Sequence, residues 1–136
     1  MRSSARASTP GGHVLYVGDA ARGDLVDRSD VLAEHGIVIN DHGKIADVAV
    51  LLPDRGWLVL IEAVTSHGPI GPLRRADLSR LFASDSLGLV FVTAFPTLPT
   101  LLGFGRDLAW ETEVWIADNP SHLIHFNGER FLGPYR

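Results

Sequence analysis

Two carboxylates on either side of one predicted turn are the residues of this sequence best placed to do chemistry. Glu62 lies near the end of the apolar run WLVLIEAV, and Asp47 begins the preceding apolar run DVAVLL. A buried strand gains nothing from an unpaired carboxylate, because burying the charge costs several kcal/mol or shifts its pKa. Another group must therefore compensate Glu62.

The turn between the two runs sets the relation of the two acids. Its sequence, PDRG at residues 53–56, is typical of a hairpin turn. A four-residue turn places Leu52 opposite Trp57, and the same register places Asp47 opposite Glu62. Both side chains then leave one face of the sheet, with Cβ atoms roughly 4.5 to 5.5 Å apart, where like charges repel. A slip of one residue would move one acid to the other face.

A shared magnesium ion would remove this repulsion. Mg²⁺ takes one or two carboxylates, together with waters and substrate phosphate oxygens. It would activate water and stabilise charge on a phosphoryl group. In the alternative reading, one carboxylate lies in solvent at a frayed strand end, or it pairs with Arg74 or Arg75.

The remaining pattern predicts the elements that hold these acids. Apolar runs bounded by turn residues predict further strands, and capped periodic segments predict short helices. The strands are predicted in HVLYVGDA, LGLVFVTAFP and, around a turn at Asn119 and Pro120, TEVWIADNPSHLIHFNG; the helices are predicted in DRSDVLAEHG, at 72–83 and in TLPTLLGFGRDLAW. Central strands that are apolar on both faces need helices on both sides, which indicates a mixed sheet in an α/β fold.

Length and composition bound the class of protein. The chain has 136 residues, 46% hydrophobic and 21% charged, and this predicts one domain: a flexible arm at 1–12 and a folded domain at 13–136. Cysteine is absent, which excludes disulfides and thiolate metal sites, and no apolar run suits a secretory signal or a membrane span. We therefore expect a soluble, cytoplasmic protein. The formal charge of −4 argues against polyanion binding by the whole surface, though not by a local basic face.

Long stretches of the chain resemble one family, the C-terminal catalytic domain of the BsuBI/PstI type II restriction endonucleases. The resemblance covers nearly everything from His13 to Pro134. It is carried by VLYVGDA, HGKIADVAVL, WLVLIEAVTSHGPIGPLRR, GLVFVTAFP, LAWETEVWIAD and HLIHFNGERFLGP.

This resemblance implies a PD-(D/E)XK nuclease fold and a magnesium-dependent, site-specific endodeoxyribonuclease of a restriction-modification system. The implied partner is double-stranded DNA, and cutting a palindrome would call for a homodimer. The superfamily motif places an Asp on one strand and Glu-x-Lys on the next, around the metal. Asp47 and Glu62 would be these acids, in agreement with the pairing expected from the hairpin.

Two positions depart from the superfamily motif. Ala46 stands where a proline precedes the Asp, and Val64 stands where the lysine is expected. A lysine there would orient the attacking water and offset charge on the phosphate, which valine cannot do. Lys44 is one candidate replacement, with a solvated loop lysine as the alternative; His67 is another, as base or phosphate donor, unless it only caps the turn.

Several other polar residues admit two readings. Arg74 and Arg75 would contact DNA phosphates, or they would lie on a solvated helix face or pair with Asp77 or Asp85. The pair His122 and His125 has HxxH spacing, but residues three apart on a strand point to opposite faces, so we expect no metal site there. Glu111 and Glu113, which flank Thr112 in AWETEVW, are expected to be structural.

Two alternatives to an active endonuclease follow from the same residues. Relatives carry a further N-terminal domain for DNA recognition, and only MRSSARASTPGG precedes the first predicted strand. The chain would then be a truncated or solitary nuclease domain with little activity. The other alternative is a metal-free interaction module on the same α/β scaffold.

Overall fold

Six β-strands form one sheet in the part of the chain that the computed structural model describes, residues 12–17, 28–38, 46–64 and 68–129. The strands are β1 (His13–Val17), β2 (Val48–Leu52), β3 (Trp57–Ala63), β4 (Gly88–Phe95), β5 (Thr112–Ile116) and β6 (Leu123–Phe126). The helices are α1 (Ser29–Glu34), α2 (Pro72–Leu81) and α3 (Leu98–Phe104), with a 3₁₀ turn at Gly105–Asp107. Apart from Gly12, the predicted arm at 1–12 lies outside the described residues. Among the described helices, none has the length and apolar character needed to cross a membrane.

The strands lie in the order β1-β2-β3-β4-β5-β6 and form a mixed sheet. Strand β3 runs parallel to β4, and β4 runs parallel to β5, whereas the pairs β1/β2, β2/β3 and β5/β6 are antiparallel. Each parallel pair is joined by a crossover that contains a helix, α2 or α3, as parallel strands require. The predicted α/β class with a mixed central sheet is confirmed.

The β2–β3 hairpin has the register that its turn sequence predicts. Leu52 pairs with Trp57, and Val48 pairs with Ile61. The turn is closed by hydrogen bonds from Arg55 N–H to Leu52 O and from Gly56 N–H to Pro53 O. Gly56 has a φ of +67°, a left-handed conformation that glycine adopts without steric cost. The turn therefore fixes which residues of the two strands face each other.

The described helices pack on one face of the sheet, which we call the helix face. Leu32 of α1 and Leu78 of α2 lie in one core cluster with Leu58 and Leu60 of β3, and Leu101 of α3 packs nearby with Phe95. The cluster on the opposite face consists, among the described residues, of strand side chains: Val48, Val50, Val59, Ile61, Val92, Ala94 and Trp115. Within the described ranges, the predicted helix layer is thus seen on one face.

Candidate active site

Asp47 directly precedes β2 and lies at the edge of the sheet where β3 ends. Because Val48 pairs with Ile61, the next step of the register sets Asp47 opposite Glu62. The half-buried carboxylate accepts a hydrogen bond at Oδ2 from the backbone N–H of Ala63, at 2.9 Å. This bond fixes Asp47 beside the residue that follows Glu62, as the predicted hairpin requires.

Glu62 is compensated by an arginine. Its Oε1 accepts hydrogen bonds from Nε of Arg74, at 2.7 Å, and from Nη2 of the same guanidinium. The side chains are 19% exposed for Glu62 and 27% for Arg74, so solvent reaches both partners. Pairing with Arg74 was one of the readings that the sequence left open, and it answers what offsets the charge at the end of β3.

The first turn of α2 holds Arg74 against the sheet. Ile70 donates its N–H to Oγ1 of the buried Thr93, at 3.1 Å, and Thr93 is the register partner of Glu62 in β4. Gly71 lies so close to the 3₁₀ turn that a Cβ there would be 2.9 Å from the carbonyl oxygen of Asp107. Pro72 then starts the helix with its φ already set. The segment that carries Arg74 is therefore anchored to β4 and to the 3₁₀ turn.

Val64, at the position of the expected lysine, packs in an apolar cluster. This half-buried side chain lies against Phe95, Leu101 and Val114 on the helix face. Its N–H donates to the carbonyl oxygen of Ala94, at 2.9 Å, which continues the pairing of β3 with β4. The position is therefore used to attach α3 to the sheet.

Arg75 points to a different part of the molecule from Arg74. Its guanidinium lies 4.9 Å from the ring centre of Phe91 and forms an ion pair of 3.2 Å with Glu111. Arg75 and Glu111 line an open groove of about 600 Å³, with Phe91 among its apolar lining residues. Neither Asp77 nor Asp85 is the partner of Arg75; Asp77 pairs with Arg80, at 3.2 Å. The expected phosphate contact of Arg75 stays a prediction, and its contacts favour a structural role.

Two further predicted site residues, Lys44 and His67, lie outside the described residues. Their roles as replacement cation and as base therefore stay predictions. After Lys44, the described chain resumes at Ala46, which is buried. On either side of His67, the described residues end at Val64 and resume at Gly68.

A second acid–base pair lies on the opposite face, on β5 and β6. Glu113 and His125 are register partners, and Nδ1 of His125 is hydrogen-bonded to Oε1 of Glu113. Burial raises the pKa of the Glu113 carboxyl, and the hydrogen bond to His125 opposes that rise. His122 bonds instead to Asn119, at 3.1 Å, so the two histidines of the HxxH motif do not form one site. Sequence reasoning missed the cross-strand partner of Glu113, which the hairpin register sets.

The two carboxylates, at the start of β2 and near the end of β3, suit a hard divalent cation that takes few ligands from the protein. Asp47 and Glu62 supply carboxylate oxygens, and Mg²⁺ commonly uses one or two of these with water and phosphate oxygens. In the described ranges, no group of three or more His, Asp or Glu residues would hold a metal by itself. A cation at this site would therefore be completed by water and substrate.

The chain is similar to known proteins along most of its length. The chain is 48% identical over 126 residues to the type II restriction enzyme BsuBI of Bacillus subtilis, which covers 93% of this chain and 40% of the relative. It is 37% identical over 128 residues to the type II restriction enzyme AplI of Arthrospira platensis, which covers 88% of this chain and 39% of the relative. The chain thus spans about two-fifths of the length of these relatives.

The fold also matches a solved structure, that of the SdaI restriction endonuclease. The TM-score is 0.86 at 41% sequence identity, over 98% of this chain and 42% of the other. The family model described as the BsuBI/PstI restriction endonuclease domain matches residues 3–129. That match begins inside the predicted arm, whose boundary stays a prediction. By sequence and by fold, the chain belongs to the BsuBI/PstI restriction endonuclease family.

Proposed function

We propose that the chain performs magnesium-dependent hydrolysis of phosphodiester bonds in double-stranded DNA, as the catalytic part of a site-specific type II endonuclease. The family assignment and the printed names of the relatives support this proposal. The observation that carries it is the placement of Asp47 and Glu62 at the adjacent ends of β2 and β3. Glu62 is paired with Arg74 of the anchored first turn of α2, which supplies a cation.

In the proposed reaction, a water oxygen bonds to phosphorus while a P–O ester bond of the DNA backbone breaks. One proton of the water goes to a base, and the leaving oxygen takes up a proton from solvent and becomes a hydroxyl. Asp47 and Glu62 would hold Mg²⁺, which supplies activation of water and neutralisation of phosphate charge when bound. His67 is the proposed base, and Lys44 remains a proposed source of positive charge.

Sequence recognition and assembly belong to the proposal as well. A type II enzyme that cuts a palindrome needs two copies of the site related by two-fold symmetry, so we propose a homodimer on DNA. Arg74 and Arg75 are the proposed phosphate contacts of α2. Mass measurement by light scattering, with and without duplex DNA, tests the dimer.

The decisive experiment is cleavage of long duplex DNA of broad sequence coverage in the presence of Mg²⁺ or Mn²⁺. We expect Glu62→Gln and Asp47→Asn each to lower the rate by about 10²- to 10³-fold or more, as the loss of a major transition-state contact does. Asp77→Asn is the matched control, because Asp77 is exposed and pairs with Arg80 on the outer side of α2. Cleavage that survives Glu62→Gln unchanged would contradict the assignment.

A second candidate is a nuclease-fold domain with little activity of its own. The net charge of −4 favours it, because contacts with the phosphate backbone dominate the affinity of proteins for DNA. A gel shift at low salt separates the two candidates: we expect duplex binding from an active nuclease and none from the weak domain. For the third, metal-free interaction module, calorimetry would show no binding of Mg²⁺ or Mn²⁺.

A further inference from the structure

The ion pair of Arg74 and Glu62 places a permanent cation on a proposed metal ligand. Two N–H groups of the guanidinium, Nε and Nη2, donate to one oxygen, Oε1 of Glu62. An arginine stays protonated at every pH of interest, so this positive charge does not depend on pH. The charge therefore lies at the edge where Asp47 and Glu62 meet, without any metal.

The lysine of the superfamily motif has no counterpart at Val64. That half-buried side chain packs against the apolar cluster of Phe95, Leu101 and Val114, and it carries no charge. Among the ion pairs of the described residues, that of Arg74 is the one that reaches Glu62; the others join Arg75 to Glu111, Arg80 to Asp77, Arg28 to Asp30 and His125 to Glu113. In the described part of the chain, the positive charge that pairs with Glu62 thus comes from the start of α2.

The anchoring of α2 fixes the position of the positive charge of Arg74. Ile70 is tied to Thr93 of β4, and its carbonyl oxygen accepts the N–H of Ala109, at 3.0 Å. The N–H of Arg75 donates to the carbonyl oxygen of Gly71, at 2.8 Å, which closes the first turn of the helix. A group held in place beforehand stabilises developing charge without the cost of reorganisation.

We propose that Arg74 takes the role of the missing lysine, as the cation that contacts the scissile phosphate, and that it neutralises Glu62 until a divalent cation binds. This inference rests on the proposed function. The guanidinium and a divalent cation would draw on the charge of the same carboxylate, so each would weaken the binding of the other to Glu62. Once Glu62 is committed to a cation, the planar donors of Arg74 are available to two phosphate oxygens at once.

This exchange predicts opposite effects on metal binding and on cleavage. Arg74→Ala removes the cation that competes for Glu62, so calorimetric titration with Mn²⁺ in the absence of DNA should show binding severalfold tighter than that of wild type. The single-turnover cleavage rate should fall by about 10²- to 10³-fold, the loss typical of one major charge-stabilising donor. Arg74→Lys keeps the charge but not the planar fork, and its rate should lie between the two.

Chemical rescue and a matched control separate a catalytic cation from a structural one. Guanidinium ion at millimolar concentration should restore part of the cleavage by Arg74→Ala, more than the same concentration of sodium does. Arg80→Ala is the control, because Arg80 lies on the same helix and is 71% exposed in its pair with Asp77. It should match wild type in Mn²⁺ binding and in cleavage.

The outcomes that overturn this proposal differ from those that overturn the proposed function. If Arg74→Ala cleaves like wild type while Glu62→Gln does not, Arg74 is not the cation and the nuclease assignment stands. If Arg74→Ala keeps the thermal stability of wild type but loses Mn²⁺ binding and is not rescued, Arg74 only positions Glu62. If wild type neither binds Mn²⁺ nor cleaves DNA, the proposed function fails and this inference fails with it.

Discussion

The two acid–base pairs on the sheet, Glu62 with Arg74 and Glu113 with His125, differ in burial and in the basic partner. Glu62 is 19% exposed and faces an arginine, whereas Glu113 is 6% exposed and faces a histidine, which is charged only if it is protonated. Burial raises the pKa of Glu113, a feature that often marks functional sites. The neighbouring residues instead favour Glu62 as the site, because a second acid, Asp47, directly precedes the adjacent strand.

This comparison teaches that a buried, perturbed carboxylate is not by itself a site. Glu113 lies on β5 with its register partner His125 on β6, on the sheet face opposite the described helices. Glu62 lies where two strand ends and a helix start converge, with a second acid and a cation within contact distance of the same strand. Convergence of several elements is what brings these groups together, and burial alone does not provide it.

The largest expected difference between the two pairs is in the rate of DNA cleavage. Glu62→Gln should lower the single-turnover cleavage rate by about 10²- to 10³-fold or more, whereas Glu113→Gln should keep the rate within a few-fold of wild type. Both changes replace the carboxyl group of a strand residue that is hydrogen-bonded to a basic side chain, so they are a matched pair. A loss of cleavage in Glu113→Gln, with thermal stability unchanged, would show that the second pair takes part in the reaction.

A smaller effect is expected from placing the lysine back at its superfamily position. Val64→Lys should lower the free energy of unfolding by about 1 to 3 kcal/mol, because a charged side chain enters the cluster of Phe95 and Leu101. Urea unfolding measures this loss. The double variant Val64→Lys with Arg74→Ala should stay as slow in cleavage as Arg74→Ala alone. Full recovery of the rate would mean that the site at the end of β3 still accepts a lysine there.

The anchoring of α2 can be loosened at one glycine. Gly71→Ala should cost about 1 to 3 kcal/mol of stability, because its Cβ would lie 2.9 Å from the backbone oxygen of Asp107. Cleavage should fall as well, since the change displaces the turn that carries Arg74. Gly103→Ala is the matched control: a Cβ there meets nothing within 4 Å, and α3 should gain about 0.5 to 1 kcal/mol. Equal stability of both variants would show that the close approach is not a constraint.

The sequence predicted the hairpin and its two acids because their relation is local. The PDRG turn and the face alternation of β2 and β3 fix the register, and both signals lie within residues 47–62. The partners of the arginines could not be predicted in the same way. Arg74 and Arg75 are adjacent in the chain, yet one reaches β3 and the other reaches Glu111 before β5. Which residue pairs with which depends on how α2 packs on the sheet, and no short-range pattern encodes that.

The smallest expected effect is on how stability depends on pH, and it concerns the pair of Glu113 with His125. Burial raises the pKa of the Glu113 carboxyl from its ordinary value of 4.5, and His125 offsets only part of the rise. The folded state therefore binds a proton at Glu113 more tightly than the unfolded chain does. The contribution of Glu113 to the free energy of unfolding is complete below about pH 4.5, and it is lost as the pH rises through the pKa of the folded state. In Glu113→Gln this loss is absent. As the pH rises from about 4, the free energy of unfolding of the variant, measured in urea, should therefore increase relative to that of wild type. The exposed Glu129→Gln should run parallel to wild type. A constant offset between Glu113→Gln and wild type at every pH would mean that the change acts through the hydrogen bond to His125 and not through the buried charge.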